Sequence, residues 1–177
     1  HIVIVDQFFD RTSKRASTFF GNGITGHVEF GLPVCGNLSG VLYDAAKKSG
    51  ATVHKGGTYI CIEGPQFSTK AESMTYRKWG VDVIGMTNIP EAKLAREAEI
   101  CYATMALSTD YDCWHSTEEP VTVEMILGTL KKNVSIAKEI IRNAVPMVPR
   151  ARACKCATAL KYAVVTDAKK IPKKTKN

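Results

Sequence analysis

The chain has 177 residues, enough for one domain with a sizeable core, and its 45% hydrophobic and 23% charged residues lie near soluble-globular averages. That balance excludes a collagen-like, low-complexity or disordered polypeptide, and no apolar run approaches the length of a bilayer crossing. The net charge of +7 is unevenly placed: from Arg150 onward nine Lys and Arg face one acid, Asp167, while the residues before them sum to −1.

The first element is the apolar run Ile2–Val5, which lacks the basic lead and small-residue cleavage site of a signal peptide, so the chain reads as soluble and intracellular. Further strand-length runs follow at Thr58–Ile62, Val81–Met86 and Ile100–Leu107. They alternate with helix-period segments over about 38–49, 69–79, 90–99 and 122–145, which predicts an α/β domain with a largely parallel sheet covered on both faces. Thr69-Lys70-Ala71-Glu72 has the form of a capping box, closed by Gly80, and Pro90 stands at a helix start. In the last helix Val123, Ile126, Leu127, Leu130, Val134, Ala137, Ile140 and Ile141 share one face, and Pro146 stops it. A buried-type strand at the first residues implies a chain that begins inside its own sheet, as the C-terminal portion of a larger α/β domain would, and predicts an unpaired apolar flank at Ile2–Val5. The segment 147–177 reads as a poorly ordered basic tail, dispensable for ligand binding.

Four motifs bear on chemistry. Gly21-Asn22-Gly23-Ile24-Thr25-Gly26 spells G-x-G-x-x-G, but no strand leads into it and no helix follows, so it reads as a loop. Glu63-Gly64-Pro65-Gln66-Phe67-Ser68 joins a strand end to a capped helix start; it is a ligand edge of an open sheet or a plain turn with a staple residue, and spacing favours neither. Met86-Thr87-Asn88 and Ser108-Thr109-Asp110-Tyr111-Asp112-Cys113-Trp114 end two more strands. Two carboxylates one residue apart can be held in different protonation states, although the residues alone favour an Asp-rich turn capping the next element. The six cysteines read as buried free thiols; Cys154-Lys155-Cys156 is one residue short of a Cys-x-x-Cys pair with no second pair beside it, so no metal is expected.

Taken in order, Asp6-Gln7-Phe8-Phe9-Asp10-Arg11-Thr12, Ile62-Glu63-Gly64-Pro65-Gln66-Phe67-Ser68-Thr69-Lys70-Ala71-Glu72-Ser73, Trp79-Gly80-Val81-Asp82-Val83-Ile84-Gly85-Met86-Thr87 and Thr109-Asp110-Tyr111-Asp112-Cys113-Trp114 closely resemble the purine nucleoside phosphorylase family, in its eukaryotic branch acting on S-methyl-5′-thioadenosine. The resemblance runs from residue 1 to about 145 and fades after Pro146. It implies the C-terminal part of a three-layer α/β domain with a mixed, largely parallel sheet over 1–146. It also implies phosphorolysis of that nucleoside to adenine and 5-methylthioribose 1-phosphate in purine and methionine salvage, with phosphate as co-substrate and no cofactor.

By the same resemblance Asp110 faces purine N7 as the catalytic acid, and Asp112 holds the 6-amino group. Phe67 packs on the base, Met86 under the ribose, and Ile84 and Leu127 also line the substrate site. Thr87 touches phosphate and a sugar hydroxyl, Ser68 and Val123 shape specificity, and His27 reaches into a neighbouring subunit of a homotrimer. Relatives acting on 6-oxopurines usually carry Asn in place of Asp110 and His in place of Val123. An apolar Val123 leaves a 5′-hydroxyl unpaired, at roughly 1–3 kcal/mol, but suits a methylthio group. The implied location is cytoplasmic, with the nucleus as a second compartment, and neither membrane nor nucleic acid is an expected partner.

The family's Gly-rich phosphate loop and Arg-His-Gly segment would precede His1, and a phosphate dianion needs such N–H nests or an Arg fork. The chain therefore reads as the purine half of a site, with little phosphorolysis expected of it alone. Two other readings stand beside this one: a catalytically weak purine-binding or assembly module, and a nucleic-acid contact through the basic tail.

Overall fold

The computed structural model describes residues 1–115 and 123–175. Its strands are β1 (Ile2–Val5), β2 (Gln7–Arg11), β3 (Val53–Lys55), β4 (Thr58–Ile62), β5 (Val83–Gly85) and β6 (Thr104–Leu107). Its α-helices are α1 (Gly36–Lys48), α2 (Lys70–Lys78), α3 (Asn88–Glu97) and α4 (Val123–Ala144). Thr122, where the last helix was expected to begin, and the side chain of Ile126 lie outside the described residues.

The strands form two sheets, ordered β3-β1-β6 and β2-β4-β5. β1 runs parallel to β3 and antiparallel to β6, whereas β2, β4 and β5 are all parallel. The period-2 alternation of strand side chains explains why β1 and β4 are apolar throughout. Ile2 and Ile4 of β1 meet Ala45, Ala46, Ile140 and Ala144 of α1 and α4 on one face, while Val5 joins Tyr59, Cys61, Ile89 and Ala92 on the other. In β4 the same alternation sends Tyr59 and Cys61 to that shared core, and Ile60 and Ile62 to a third cluster with Tyr76 of α2. The result is the mixed, largely parallel α/β arrangement expected from the sequence.

Two expectations are corrected here. β1 is not an open flank: β3 and β6 hydrogen-bond it on both sides, and Ile2, Ile4 and Val5 are at most 3% exposed. The flanking β3 escaped notice because it is three residues long and carries His54 and Lys55. β2 was likewise unread, since Gln7-Phe8-Phe9-Asp10-Arg11 is mostly exposed and lacks an apolar run.

The basic segment also differs from a free tail. Residues 145–175 pass through short 3-10 turns at Val145–Met147, Lys155–Thr158 and Lys173–Thr175, and bury Cys156 and Ala163. Its lysines point outward, but its backbone is anchored: Arg152 donates to the carbonyl of Glu99 (2.6 Å), the N–H of Leu160 donates to Glu99 Oε1 (3.0 Å), and Val164 bridges Gly26. The N–H of His27 donates to the Ala163 carbonyl (2.8 Å), so this segment covers the glycine-rich loop that precedes no helix.

The helices and strand ends are fixed by local chemistry. Thr69 and Glu72 form the reciprocal capping box at the start of α2, the side chain of each accepting the other's backbone N–H. Arg15, in the loop after β2, reaches across the ends of β4 and β5. Its Nη1 donates to the carbonyls of Met86 and Ile89, and its Nη2 to those of Ile62 (3.3 Å) and Glu63 (2.9 Å). Glu63 returns the contact, accepting from Arg15 Nε (3.5 Å) and from the N–H of Ser13 (2.7 Å). The Ser13 N–H, together with those of Lys14 and the Arg15 side chain, holds the Glu63 carboxyl below the usual carboxylate range.

Arg15→Met should leave these carbonyls without donors and lower the unfolding free energy by about 1–3 kcal/mol, read from the urea midpoint at unchanged m-value. Truncation after Pro146 should lower the thermal midpoint followed by circular dichroism, because it uncovers the surface that Cys156 and Ala163 bury. An unchanged midpoint would mean that the segment contributes no packing energy.

Candidate functional site

The parallel β4 and β5 end side by side, and the segment after β6 crosses beside them, so three chain segments with polar residues converge. Between β5, the 108–114 segment and α2 lies a cleft of about 240 Å³, lined among others by Ile84, Asp110, Asp112, Ser73, Tyr76 and Trp114. On β5 the cleft is lined by Val83 and Ile84, with Val81 and Asp82 before the strand, and Phe67, Met86 and Thr87 do not line it.

The two carboxylates are held by one turn. Thr109 Oγ1 donates to Asp110 Oδ2 (2.6 Å), and Asp110 Oδ1 accepts the N–H of Asp112 (2.9 Å). Asp112 adopts a left-handed φ of 61°, a conformation Asp tolerates better than most residues. Its Oδ2 accepts a 2.5 Å hydrogen bond from Ser73 Oγ, and Ser73 is 1% exposed on α2. The capping box that starts α2 one turn earlier thus also positions Ser73, and through it Asp112. The Asp-rich turn and the cleft wall, two readings of one segment, coexist.

The other expected residues are spread over several parts of the fold. Ile84 lines the cleft and packs with Ile60, Ile62 and Tyr76. Phe67 and Ser68 adjoin the turn, since the Cys113 thiol donates to the Ser68 carbonyl (3.6 Å). Phe67 is 58% exposed, and the buried Ser68 hydroxyl has no hydrogen-bond partner among the described residues. Burial, then the Asp112 charge, pushes the Cys113 thiol up. Met86 lies against Gly64, whose φ of +70° strains any residue but glycine and where an added Cβ would push the Met86 sulfur aside. Thr87, exposed, stands at the N-cap of α3, and its N–H donates to the hydroxyl of the buried Tyr59 (3.5 Å). Burial pushes the Tyr59 phenol up.

Val123 and Leu127 do not line this cleft; they lie exposed on the first turns of α4. His27 is also elsewhere, exposed beside a separate cavity of about 530 Å³ shared with Arg96 and Tyr162.

Three features were missed in the sequence. Arg15 sits in a non-periodic loop, and Ser73 is an unremarked helix residue; only contact across the fold gives either a role. The third corrects the reading of the cysteines. The pair that Cys154 and Cys156 lacked in sequence is supplied in space by Cys35 and Cys101, and the four sulfurs lie within 4.8 Å of one another. The Cys156 N–H, followed by the Cys101 thiol, pulls the Cys154 thiol down to about 7, whereas burial pushes Cys101 up to about 11 and Cys156 up to about 12. No helix among the described residues is long and apolar enough to cross a membrane.

Comparison with known proteins identifies the family. The S-methyl-5′-thioadenosine phosphorylase of Geobacter sulfurreducens is 63% identical over 177 residues, covering 99% of this chain and 62% of its own length. That of Koribacter versatilis is 56% identical, over 98% of this chain and 60% of its own. The chain thus spans about three fifths of the length of the curated relatives it matches. Among solved structures, a methylthioadenosine phosphorylase from an antarctic soil metagenomic library superposes with a TM-score of 0.91 at 44% identity, over 99% of this chain and 62% of that one. A methylthioadenosine phosphorylase from Schistosoma mansoni in complex with adenine gives 0.83 at 32% identity, over 90% of this chain and 63% of that one. The bacterial likeness is stronger than the eukaryotic one, and it continues through the basic segment, which corrects the expectation that it fades after Pro146. A phosphorylase superfamily profile matches residues 1–146, and the chain belongs to that superfamily.

Proposed function

We propose that this chain binds the adenine end of S-methyl-5′-thioadenosine and serves its phosphorolysis to adenine and 5-methylthioribose 1-phosphate, a salvage reaction with inorganic phosphate as co-substrate and no cofactor. The observation that carries the reading is the Asp110–Asp112 turn, pinned by Ser73 beside the strand ends. Relatives named for that substrate, and a neighbour holding adenine, support the same choice.

In the reaction a phosphate oxygen bonds to C1′ as the C1′–N9 bond breaks and its electron pair passes to the purine. A proton given to N7 by Asp110 makes adenine a better leaving group. Asp112, fixed by Ser73 through one oxygen, accepts from the 6-amino group; a 6-oxopurine has no donor there and is disfavoured. Phe67 covers the base, Met86 and Ile84 support the ribose side, and Thr87 meets phosphate. Ser68 shapes the pocket for a methylthio rather than a hydroxyl group; Val123 and Leu127, which lie outside the cleft, carry that role only by the family resemblance. His27, exposed and apart from the cleft, would act in a neighbouring subunit of a homotrimer, as the family resemblance implies.

Calorimetry with adenine and hypoxanthine tests the purine site directly. Adenine should bind more tightly, and Asp110→Asn should weaken it by about 10–100-fold while narrowing the gap to hypoxanthine. Equal affinities in both proteins would overturn the proposal. Phosphate-dependent adenine release by the active enzyme should fall about 10²–10⁴-fold in the same variant. Ser73→Ala should act through Asp112, raising KM more than it lowers kcat.

A further inference from the structure

We propose that Cys35, Cys101, Cys154 and Cys156 form a structural zinc site that fastens the C-terminal segment to the body of the domain. All six cysteines are free thiols, and these four gather from three distant parts of the chain. Cys35 precedes α1, Cys101 lies in the loop between α3 and β6, and Cys154 and Cys156 open the 3-10 turn at Lys155–Thr158. The sulfurs lie within 4.8 Å of one another, with Cys101 and Cys154 at 3.4 Å. A tetrahedral zinc tetrathiolate, with Zn–S near ~2.3 Å, has its sulfurs about 3.8 Å apart, so binding requires shifts of ~1 Å or less.

The surroundings suit such an ion. Cys35 and Cys156 are 4% and 6% exposed and the other two are half-buried, which encloses the cluster yet leaves an approach from the side of Cys101 and Cys154. Four thiolates around one zinc ion carry a net charge of −2, with the four thiol protons released to solvent. Cys35 is the N-cap of α1, where no side chain caps the helix and no acid occupies the first turn, so the positive end of a 13-residue helix adjoins this charge. Arg96, Arg150, Arg152 and Lys155 line the cavities on either side. Four sulfur ligands leave no coordination position open, which makes the site structural. The segment it would hold buries few apolar side chains, Cys156 and Ala163 being its fully buried ones, so a cross-link supplies what packing does not.

The test is the metal content of the whole chain purified without chelator. Elemental analysis should find about one zinc per chain, and cobalt exchanged into the site should give the strong visible bands of tetrahedral thiolate coordination. Cys35→Ser and Cys154→Ser should each abolish both signals, whereas Cys113→Ser should keep them; chelation should lower the thermal midpoint and added zinc restore it. If a variant fails to fold, the zinc content and cobalt spectrum of the unaltered chain decide alone. Metal-free protein with all six thiols titratable would overturn the proposal, as would two disulfides among the four cysteines or iron in place of zinc.

Discussion

At the ends of β4 and β5 the ladder stops and several carbonyls turn away from it; those of Ile62, Glu63, Met86 and Ile89 converge on the guanidinium of Arg15. A planar fork of fixed donors suits this task better than a flexible ammonium. Because Glu63 accepts in turn from Ser13 and Lys14, the loop that carries Arg15 is fixed by the strand end that Arg15 fixes. The position of Met86, the entry into α3 through Ile89 and the turn at Gly64 all follow from this one cation. Glu63 lies beside the guanidinium, with 3.5 Å between Nε and Oε1.

The second organising element is the strict alternation of β1 and β4. Each sends successive side chains into different clusters, so a four-residue and a five-residue strand between them serve three cores. A shift of register by one residue would exchange those sets, and the parallel pairing of β4 with β2 and β5 resists it from both sides. The cleft inherits this rigidity, since Ile84 of β5 both packs on β4 and forms its wall.

Much of this was legible in the sequence wherever the signal is local. Ile2–Val5 and Thr58–Ile62 are apolar because both faces are covered, and Thr69-x-x-Glu72 marks the start of α2 by its own chemistry. The Asp110-x-Asp112 pair and the polar strand ends were visible locally, but the residues alone favoured a plain turn for the pair, and only the family resemblance gave it a chemical role. What escaped depends on residues far apart meeting in space. β3 is recognisable only beside β1, Ser73 only beside Asp112, and Arg15 only across the ends of two strands. Cys154-x-Cys156 looked incomplete because the cysteines beside it come from the start of α1 and the loop after α3. The basic segment was misjudged because charge was read without the backbone bonds to Thr25, His27 and Glu99 that hold it.

Gly85 leaves a blank place in β5, and the Tyr59 ring fills it: a Cβ at this position would collide with the phenol oxygen and ring edge. Tyr59 also stacks edge-on against Phe8 and receives the N–H of Thr87. Even an alanine at 85 would therefore displace a buried ring and carry the disturbance both to β2 and to the first residue of the α3 entry. The end of β5 thus has little evolutionary latitude, while Phe67 and Val123, both exposed, can vary without disturbing the frame. Sequence drift within such a scaffold should accumulate on its rim and leave its floor unchanged.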